Sequence, residues 1–230
     1  MRRDQSAIEE ERQHLRAFGS ELGALYHALE HEVIWLHAKW LEYRKLYAKS
    51  DKRIDLLNKT AGFFFRVVQD ALWGDLLLHI ARLTDPPKQG RYENLTLLRL
   101  PEAVHDKGLA DNIRDLVKTA LANAEFAREW RNRSLAHQEL SLALQVGAKP
   151  LPGASRKSVE DVLASYRKIM NRLHVSYLQG EVGYEYFLAY DDADMLVRRL
   201  AVAARLDERQ KERLRQGKPL PEDLEPPPEA

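Results

Sequence analysis

The chain has no cysteine among its 230 residues. Disulfide bonds and cysteine-ligated zinc sites are therefore excluded, and the redox compartment of the protein stays open. An excess of one charge is missing as well, because 36 lysines and arginines stand against 35 aspartates and glutamates, a formal net charge of +1. With no overall field to attract nucleic acid or a membrane surface, any anion-binding site has to be local.

Long uninterrupted apolar runs are also absent. The most apolar stretch, residues 61–83, is broken by charged side chains such as Arg66, Asp70 and Asp75, so we do not expect it to span a bilayer. The first residues read MRRDQSAIEEERQHL and place glutamates where a secretory signal needs an apolar segment. We therefore expect a soluble cytoplasmic protein without a membrane partner.

The chain does carry the apolar periodicity of helices. Hydrophobic residues recur every three or four positions from Leu22 to Tyr47, which predicts a helix over about Ser20–Lys49 that starts after a break at Gly19. A second predicted helix, about Asp51–Leu83, is apolar on much of its circumference and is interpreted as the central, most buried one. Three further long helices are predicted at about Leu109–Trp130, Lys157–Leu178 and Asp192–Arg215.

These elements predict an all-α fold, a bundle of about five or six helices that forms a single domain over residues 1–216. Residues 217–230, GKPLPEDLEPPPEA, have the composition of a disordered tail. Between the long helices, NLTLLRLPEAV is predicted to be a short helix capped by Asn94, and GYEYFLAY, residues 183–190, is predicted to be extended. The segment LTDPP, residues 83–87, is interpreted as a structural helix stop.

One short segment, AREWRNRSLAHQEL at residues 127–140, gathers groups suited to phosphate chemistry: Arg128, Arg131, Asn132, Arg133 and His137. Arginine offers a rigid fork of donors for phosphate oxygens, and an imidazole with an ordinary pKa of about 6.5 suits proton transfer near neutral pH. The set indicates a phosphodiester site. The alternative from the residues alone is a solvated basic face whose arginines pair with neighbouring glutamates and do nothing further.

The spacing within the segment decides which groups can meet. Arg133 and His137, four positions apart, share one face of a continuous helix, whereas Arg131 and His137 would lie about 120° apart and could converge only across a turn or kink. No carboxylate cluster for metal ions lies nearby in the sequence, so the implied chemistry is metal-free cleavage of RNA, in which the 2′-hydroxyl attacks the adjacent phosphorus. That reaction needs a base and an acid. Because the segment has a single histidine, a two-fold dimer is expected to supply the second.

The motif WRNRSLAH resembles the signature of the HEPN superfamily, in which an arginine and a polar residue are followed after a short interval by a histidine. Arg131, Asn132 and His137 fit this pattern. In chain order, the longer stretches that resemble the bacterial abortive-infection branch of that superfamily, the AbiU type, are VIWLHAKWLEYRKLY, LLNKTAGFFFRVVQDALWGDLLLHIARLTDPP, NLTLLRL and WRNRSLAHQEL. The similarity extends over roughly residues 22–140 and more loosely over the later helices.

The resemblance implies an α-helical bundle, a homodimer with the motif at its interface, and metal-independent endoribonuclease activity in phage defence or a toxin–antitoxin-like system. It places the acid–base role on His137, phosphate stabilisation on Arg131 and orientation on Asn132, while Arg128 and Arg133 are expected to hold flanking RNA phosphates. No cofactor or metal ion is expected. The expected partners are RNA, a second copy of the chain, and an antitoxin or another defence component. The alternative is a catalytically inactive HEPN module that binds RNA or protein in a defence system.

Two positions depart from the patterns of related proteins. Gln138 and Glu139 follow the histidine, where members of this type often carry an arginine and an aspartate, so one positive charge is missing. In another HEPN branch the second position after the histidine is a tyrosine that serves as a modification target. Because Glu139 stands there, that form of control is not expected.

A separate motif, HALEH at residues 27–31, matches the H-x-x-E-H pattern of a class of zinc proteases. His27 and His31 lie nearly opposite the apolar positions Leu25 and Leu29 of the predicted helix, and so point away from its core face. Because neither a third ligand nor a cleft is evident from the sequence, we expect no zinc site here.

Overall fold

The computed structural model describes residues 5–186 and 192–224, and nearly all of its regular structure is helical. The helices are α1 (Gln5–Phe18), α2 (Ser20–Tyr47), α3 (Asp51–Leu83), α4 (Leu100–Ala103), α5 (Lys107–Trp130), α6 (Leu140–Leu144), α7 (Arg156–Leu178) and α8 (Asp192–Arg215). They are supplemented by 3₁₀ turns at Leu97–Arg99 and Pro221–Leu224, a π-helical turn at Arg131–Leu135, and an antiparallel ribbon of β1 (Lys88–Gln89) and β2 (Tyr92–Glu93).

The predicted all-α fold is confirmed, and the predicted bounds of α3 and α8 agree with the structure at both ends. The predicted break before α2 is present at Gly19, whose φ of +84° is a left-handed conformation that glycine adopts at little cost. Within the described ranges, no helix combines the length and the apolarity that crossing a membrane requires.

The chain divides into two compact units, Met1–Trp40 with Leu72–Phe187 and Leu41–Ala71 with Leu188–Ala230. In the first unit α5 packs against α7. Each of the two helices buries one stripe with three- and four-residue steps: Leu109, Ile113, Val117, Ala120, Ala124 and Ala127 in α5, and Val159, Val162, Tyr166, Ile169 and Leu173 in α7. This amphipathic spacing explains why both segments are helical and which faces they bury.

In the second unit, polar side chains from the end of α2 and the start of α3 contact the first turn of α8. Asp194, in the first turn of that helix, pairs with Nζ of Lys49 at 3.0 Å and with the guanidinium of Arg53 at 2.7 Å. The carboxylate of Glu42 accepts a hydrogen bond of 2.9 Å from the backbone N–H of Ala193. Acidic groups at a helix N-terminus satisfy free N–H groups and complement the helix dipole.

The exposure of side chains along α3 departs from the prediction. Leu77 and Ile80 are fully buried, as expected for a central helix. Ala61, however, leaves the helical conformation (φ −159°, ψ 66°), and just beyond it Phe63 and Phe64 are 85% and 59% exposed. The prediction of a buried helix was therefore wrong for this stretch, because apolar composition does not say which side chains a neighbour covers.

The predicted N-cap at Asn94 was also wrong. The 3₁₀ turn Leu97–Arg99 is capped by Thr96, whose hydroxyl accepts a hydrogen bond of 3.4 Å from the backbone N–H of Leu98. Asn94 instead donates its side-chain N–H to the carbonyl of Pro86 at 2.8 Å. Its amide therefore holds the loop that follows α3.

Two predicted segments extend beyond the described residues. In GYEYFLAY, residues 187–190 lie outside them, and the described part contains a turn in which Tyr186 N–H donates to the Gly183 carbonyl at 2.9 Å. In the tail, residues 225–230 lie outside the described residues. Before them, the 3₁₀ turn Pro221–Leu224 contains Asp223, whose carboxylate accepts a hydrogen bond of 2.7 Å from Nε of Arg213.

The backbones of α1 and α2 approach each other closely at Gly23. A Cβ atom there would lie 2.7 Å from the carbonyl oxygen of His14 and 2.9 Å from Cα of Leu15, and neither backbone atom can rotate away. Gly23→Ala is therefore expected to lower the free energy of unfolding by about 1–3 kcal/mol, although alanine favours helices. The measurement is the midpoint of urea unfolding.

Gly74→Ala is the matched control for this change. A Cβ at Gly74, in α3, would meet only a side-chain methyl of Leu135 at an ordinary distance of 3.5 Å. Alanine should therefore preserve or raise stability here, by up to about 1 kcal/mol. Equal effects of the two substitutions would contradict the close packing of α1 on α2.

Candidate functional site

The segment that carries the candidate residues is not a regular α-helix. α5 ends at Trp130, and in the next five residues, Arg131–Leu135, the backbone widens into a π-helical turn. Its defining hydrogen bond of 2.8 Å runs from Ala136 N–H to the carbonyl of Arg131. Such turns insert one extra residue into a helix and occur frequently at functional sites. A turn therefore lies between Arg131 and His137, the condition under which the two side chains could converge.

Arg131 is held by a carboxylate from a distant part of the chain. Its Nη1 donates to Oδ1 of Asp85, and its Nε donates to Oδ1 of Asn132 at 3.0 Å. Asp85 is the second residue after α3 and is only 9% exposed, so the guanidinium neutralises a nearly buried charge. Nη2 of Arg131 makes no hydrogen bond within the described residues. Two of its three guanidinium nitrogens are therefore oriented by acceptors.

Arg133 is placed differently, because two of its guanidinium nitrogens donate hydrogen bonds and the third lies near a carboxylate. Nε donates to Glu139 at 2.6 Å, Nη2 donates to the carbonyl of Lys149 at 2.6 Å, and Nη1 lies 3.8 Å from the carboxylate of Glu129. The hydrogen bond with Glu139 raises the pKa of Arg133, and the same bond lowers the pKa of Glu139. Arg133 therefore connects the π-helical turn to the segment that follows the motif, at Glu139 and Lys149.

Arg128 ties α5 to the end of α3. Its Nη1 donates to the carbonyl of Thr84, and its Nε lies 3.8 Å from the carboxylate of Glu125. A cation at this place satisfies a carbonyl that the helix end leaves without an intrahelical donor, and it complements the helix dipole. The structure thus gives Arg128 a role in packing the motif against α3.

His137 lies just beyond the π-helical turn and is exposed. Within the described residues it makes no hydrogen bond and no ion pair. The structure therefore brings Arg131 together with Asn132 and Asp85, but it does not join His137 to any of them within one chain.

The end of α3 and the loop that carries Asp85 are held by side-chain donors at four carbonyl groups. Tyr166 donates to the Ile80 carbonyl at 2.8 Å, Thr96 donates to the Leu83 carbonyl at 3.0 Å, Asn94 donates to the Pro86 carbonyl at 2.8 Å, and Arg99 donates to the Pro87 carbonyl at 2.7 Å. Burial raises the pKa of Tyr166 above its usual range, so its hydroxyl remains a donor. The carboxylate of Asp85 is consequently held in a fixed position.

Sequence reasoning missed Asp85. The LTDPP segment was interpreted only as a helix stop, whereas its aspartate is the partner of the candidate arginine, 46 positions away. An acidic residue between a long apolar helix and a double proline was the available signal. A cleft of about 260 Å³ borders Asp85 and is lined by Glu32, Arg82, Leu83, Asp85, Asn94 and Leu95.

The chain was compared with known protein families, curated proteins and solved structures. The family model described as AbiU2, of the HEPN group, matches residues 19–196, which include α2 to α7 and all the candidate residues of the motif. No curated protein and no solved structure matches the chain.

Proposed function

The chain belongs to the AbiU2 family of HEPN proteins, an abortive-infection group, and on that premise we propose that it is a metal-independent endoribonuclease. Its substrate is RNA, whose own 2′-hydroxyl serves as the nucleophile. One observation carries the proposal: Arg131 presents an oriented guanidinium with one nitrogen not bonded to the described residues, six positions before an exposed histidine, His137.

The proposed reaction balances without a co-reactant. A base removes the proton of the 2′-hydroxyl, the 2′-oxygen attacks phosphorus, and the bond between phosphorus and the 5′-oxygen breaks as an acid protonates that oxygen. The products are a 2′,3′-cyclic phosphate and a free 5′-hydroxyl. Near neutral pH an imidazole can act as either the base or the acid.

The motif residues take separate roles in this reaction. His137 of one copy is the base, and the same residue of a second copy is the acid. Arg131 donates from Nη2 to the negatively charged oxygens of the pentacoordinate phosphorus, where charge develops in the transition state. Asn132 accepts from Nε of Arg131 at 3.0 Å and orients the guanidinium.

Arg128 and Arg133 are proposed to hold flanking phosphates, but with different contributions to RNA binding. Nη2 of Arg128 makes no hydrogen bond within the described residues. It can therefore contact a phosphate while Nη1 keeps its hydrogen bond to the Thr84 carbonyl. Arg133 would have to exchange its bond with Glu139 for a phosphate. We therefore expect Arg128 to contribute more to RNA binding than Arg133.

Self-association of the motif is supported by the surface next to it. The residues that follow His137 include three large apolar side chains in and after α6, Leu140, Leu144 and Val146, which are 71%, 62% and 70% exposed. Clustered apolar exposure of this kind is typical of a surface that another protein covers. A second copy docked there would bring its own His137 to the same interface, since a two-fold interface presents the same residues from both sides.

The direct test is RNA cleavage by the purified protein in excess chelator. We expect 2′,3′-cyclic phosphate and 5′-hydroxyl ends, and no cleavage of an RNA whose 2′-hydroxyls are methylated, because the nucleophile is then blocked. Dependence on millimolar Mg²⁺ or Mn²⁺, or cleavage of the methylated RNA, would contradict the mechanism. Binding of RNA without cleavage would identify an inactive binding module instead.

Toxicity in cells provides an independent measurement. Induced expression should arrest growth, and the arrest should be relieved by His137→Ala and by Arg131→Ala. An antitoxin or another defence component that restrains the nuclease would then be sought by its ability to prevent the arrest. Equal growth with the wild-type protein and both variants would contradict the proposed activity.

A further inference from the structure

A second cluster of imidazole and carboxylate groups lies between α1 and α2. Glu10 comes from α1, and His27 and His31 come from α2, one helical turn apart. One ligand atom from each of the three residues lies within 4.8 Å of the other two. Nε2 of His31 is 3.6 Å from Oε2 of Glu10, and the ring centroids of His27 and His31 are 4.4 Å apart.

We propose that Glu10, His27 and His31 bind a divalent transition-metal ion of the Zn²⁺ type that joins α1 to α2. Two imidazoles and one carboxylate are a ligand set that zinc uses when a water molecule completes its coordination. With bonds of about 2.0–2.2 Å, two ligand atoms of a tetrahedral ion lie about 3.3–3.5 Å apart. The ligand atoms of His31 and Glu10, 3.6 Å apart, are already near that separation. Small side-chain rotations would bring a ring nitrogen of His27 to the same distance.

Access to the cluster is open from solvent. The side chains of Glu10 and His31 are 46% and 50% exposed, so an ion can reach them and a water molecule can occupy the remaining position. Because both side chains have room to rotate, the ligands can adjust to the ion without movement of the helices.

Behind the three ligands lies a buried chain of polar groups that distinguishes the cluster from a chance surface pair. Nδ1 of His27 is 3.2 Å from Nδ1 of His14, and Nε2 of His14 is 3.4 Å from Oε2 of Glu30. Glu30 in turn accepts hydrogen bonds from the hydroxyls of Tyr26 at 2.9 Å and Tyr184 at 3.4 Å. His14 and Glu30 are each 3% exposed.

This chain resembles the outer support of protein metal sites, where a ligating histidine bonds through its other ring nitrogen to a polar partner that fixes its orientation. The 3.2 Å separation of the two Nδ1 atoms allows His27 to donate a hydrogen bond from Nδ1 to His14. An imidazole protonated there coordinates through Nε2.

The arrangement does not fit the zinc-protease pattern suggested by HALEH. In that pattern the glutamate acts as a base on the metal-bound water, whereas Glu30 is buried and bonded to two tyrosines. The proposed ion therefore has a structural and not a catalytic role. It holds α1 against α2, whose backbones already lie close together at Gly23.

The sequence did not reveal this site because its third donor is on another helix. HALEH supplies two ligands one turn apart, and Glu10 lies 17 positions before His27. Glu10 and His14 also lie outside residues 19–196, the part matched by the family model, so the complete ligand set is not contained in the matched region.

The test is Zn²⁺ binding by the full chain without an affinity tag, after chelator treatment and dialysis. Isothermal titration should give one ion per chain, and Co²⁺ should give the visible absorption of a four-coordinate site. We expect Glu10→Gln, His27→Ala and His31→Ala each to weaken binding at least about tenfold and to change the Co²⁺ spectrum. His14→Gln, which keeps the ligands and alters their support, should weaken binding about 10- to 100-fold.

His105→Ala is the matched control, because His105 is an exposed histidine away from α1 and α2 in the sequence, and it should bind Zn²⁺ as the wild type does. Glu10→Gln changes an exposed side chain, so its fold should be intact, which circular dichroism can verify. Unaltered binding in the three ligand variants, or an equal loss in His105→Ala, would overturn the proposal. Zn²⁺ binding is measured without RNA. A negative result would therefore overturn the metal site and leave the proposed nuclease activity untouched.

Discussion

Replacement of His137 by alanine is expected to lower the rate of RNA cleavage by about 10²- to 10⁴-fold, the contribution of a positioned acid or base. The loss should lie toward the upper end, because one substitution in a symmetric dimer removes both the base and the acid. The measurement is the single-turnover rate of cleavage in chelator.

The fold should not account for this loss. His137 is exposed and makes no hydrogen bond within the described residues, so its replacement should change the free energy of unfolding by no more than about 0.5 kcal/mol. Gln138→Ala, at the adjacent exposed position, is the matched control and should retain full activity. A His137→Ala protein that keeps more than about a tenth of the wild-type rate would rule out acid–base catalysis at this residue.

A mixed dimer tests whether one site uses both copies. A heterodimer of wild-type and His137→Ala chains, purified through two different tags, contains a single His137. If the proposed site needs one histidine from each copy, this heterodimer should be as inactive as the doubly substituted dimer. Half of the wild-type activity would instead indicate that each chain carries an independent site.

Arg131→Ala should be the second severe substitution, with a loss of cleavage of about 10²- to 10³-fold, as for removal of one donor from a site that stabilises transition-state charge. Arg133→Ala should cost less than about tenfold, because its three guanidinium nitrogens already contact Glu139, Lys149 and Glu129. A larger loss from Arg133→Ala than from Arg131→Ala would reverse the assignment.

Stability has to be separated from catalysis in this experiment, because Arg131→Ala leaves the nearly buried Asp85 without its cation. Removal of one member of a buried pair can cost about 3–5 kcal/mol, and the partial exposure of Arg131 reduces that figure here. Asp85→Asn combined with Arg131→Ala removes the unpaired charge. We expect this double variant to regain stability and to remain inactive, whereas a loss caused only by unfolding would be reversed.

Arg131→Lys distinguishes charge from geometry. Lysine can pair with Asp85 but has no planar fork with a second donor for phosphate. Cleavage should therefore stay well below the wild-type rate while stability is largely restored. Full activity of this variant would show that a point charge is sufficient.

The elements themselves were predictable from local sequence. Apolar residues with three- and four-residue spacing set the positions of α2, α5 and α7, and Gly19 marked the start of α2. A helix depends on hydrogen bonds between residues four positions apart, so its signal is contained in a short window. The family resemblance, confirmed over residues 19–196, rested on a motif that is likewise continuous in the chain.

The wrong predictions concern which residues lie next to each other in the fold, and not where the helices lie in the chain. Phe63 and Phe64 belong to an apolar helix and yet lie exposed beside the irregular backbone at Ala61. Asn94 has the chemistry of a cap, but its amide holds the Pro86 carbonyl while Thr96 caps the turn. Which of several suitable side chains performs a role depends on what lies next to it, and residue type alone does not carry that information.

The amino-acid order was thus enough to specify a helical protein, most of its helix bounds, and a short basic motif with one histidine. Tertiary contacts decided the rest: they set Asp85 on Arg131 and the Thr84 carbonyl on Arg128, and they left His137 in solvent. The pairing of α1 with α2 likewise placed Glu10 beside two histidines. Contacts between residues far apart in the chain arise only when whole helices are brought together, because the burial of apolar faces, and not the spacing of the charged groups, chooses which helices meet.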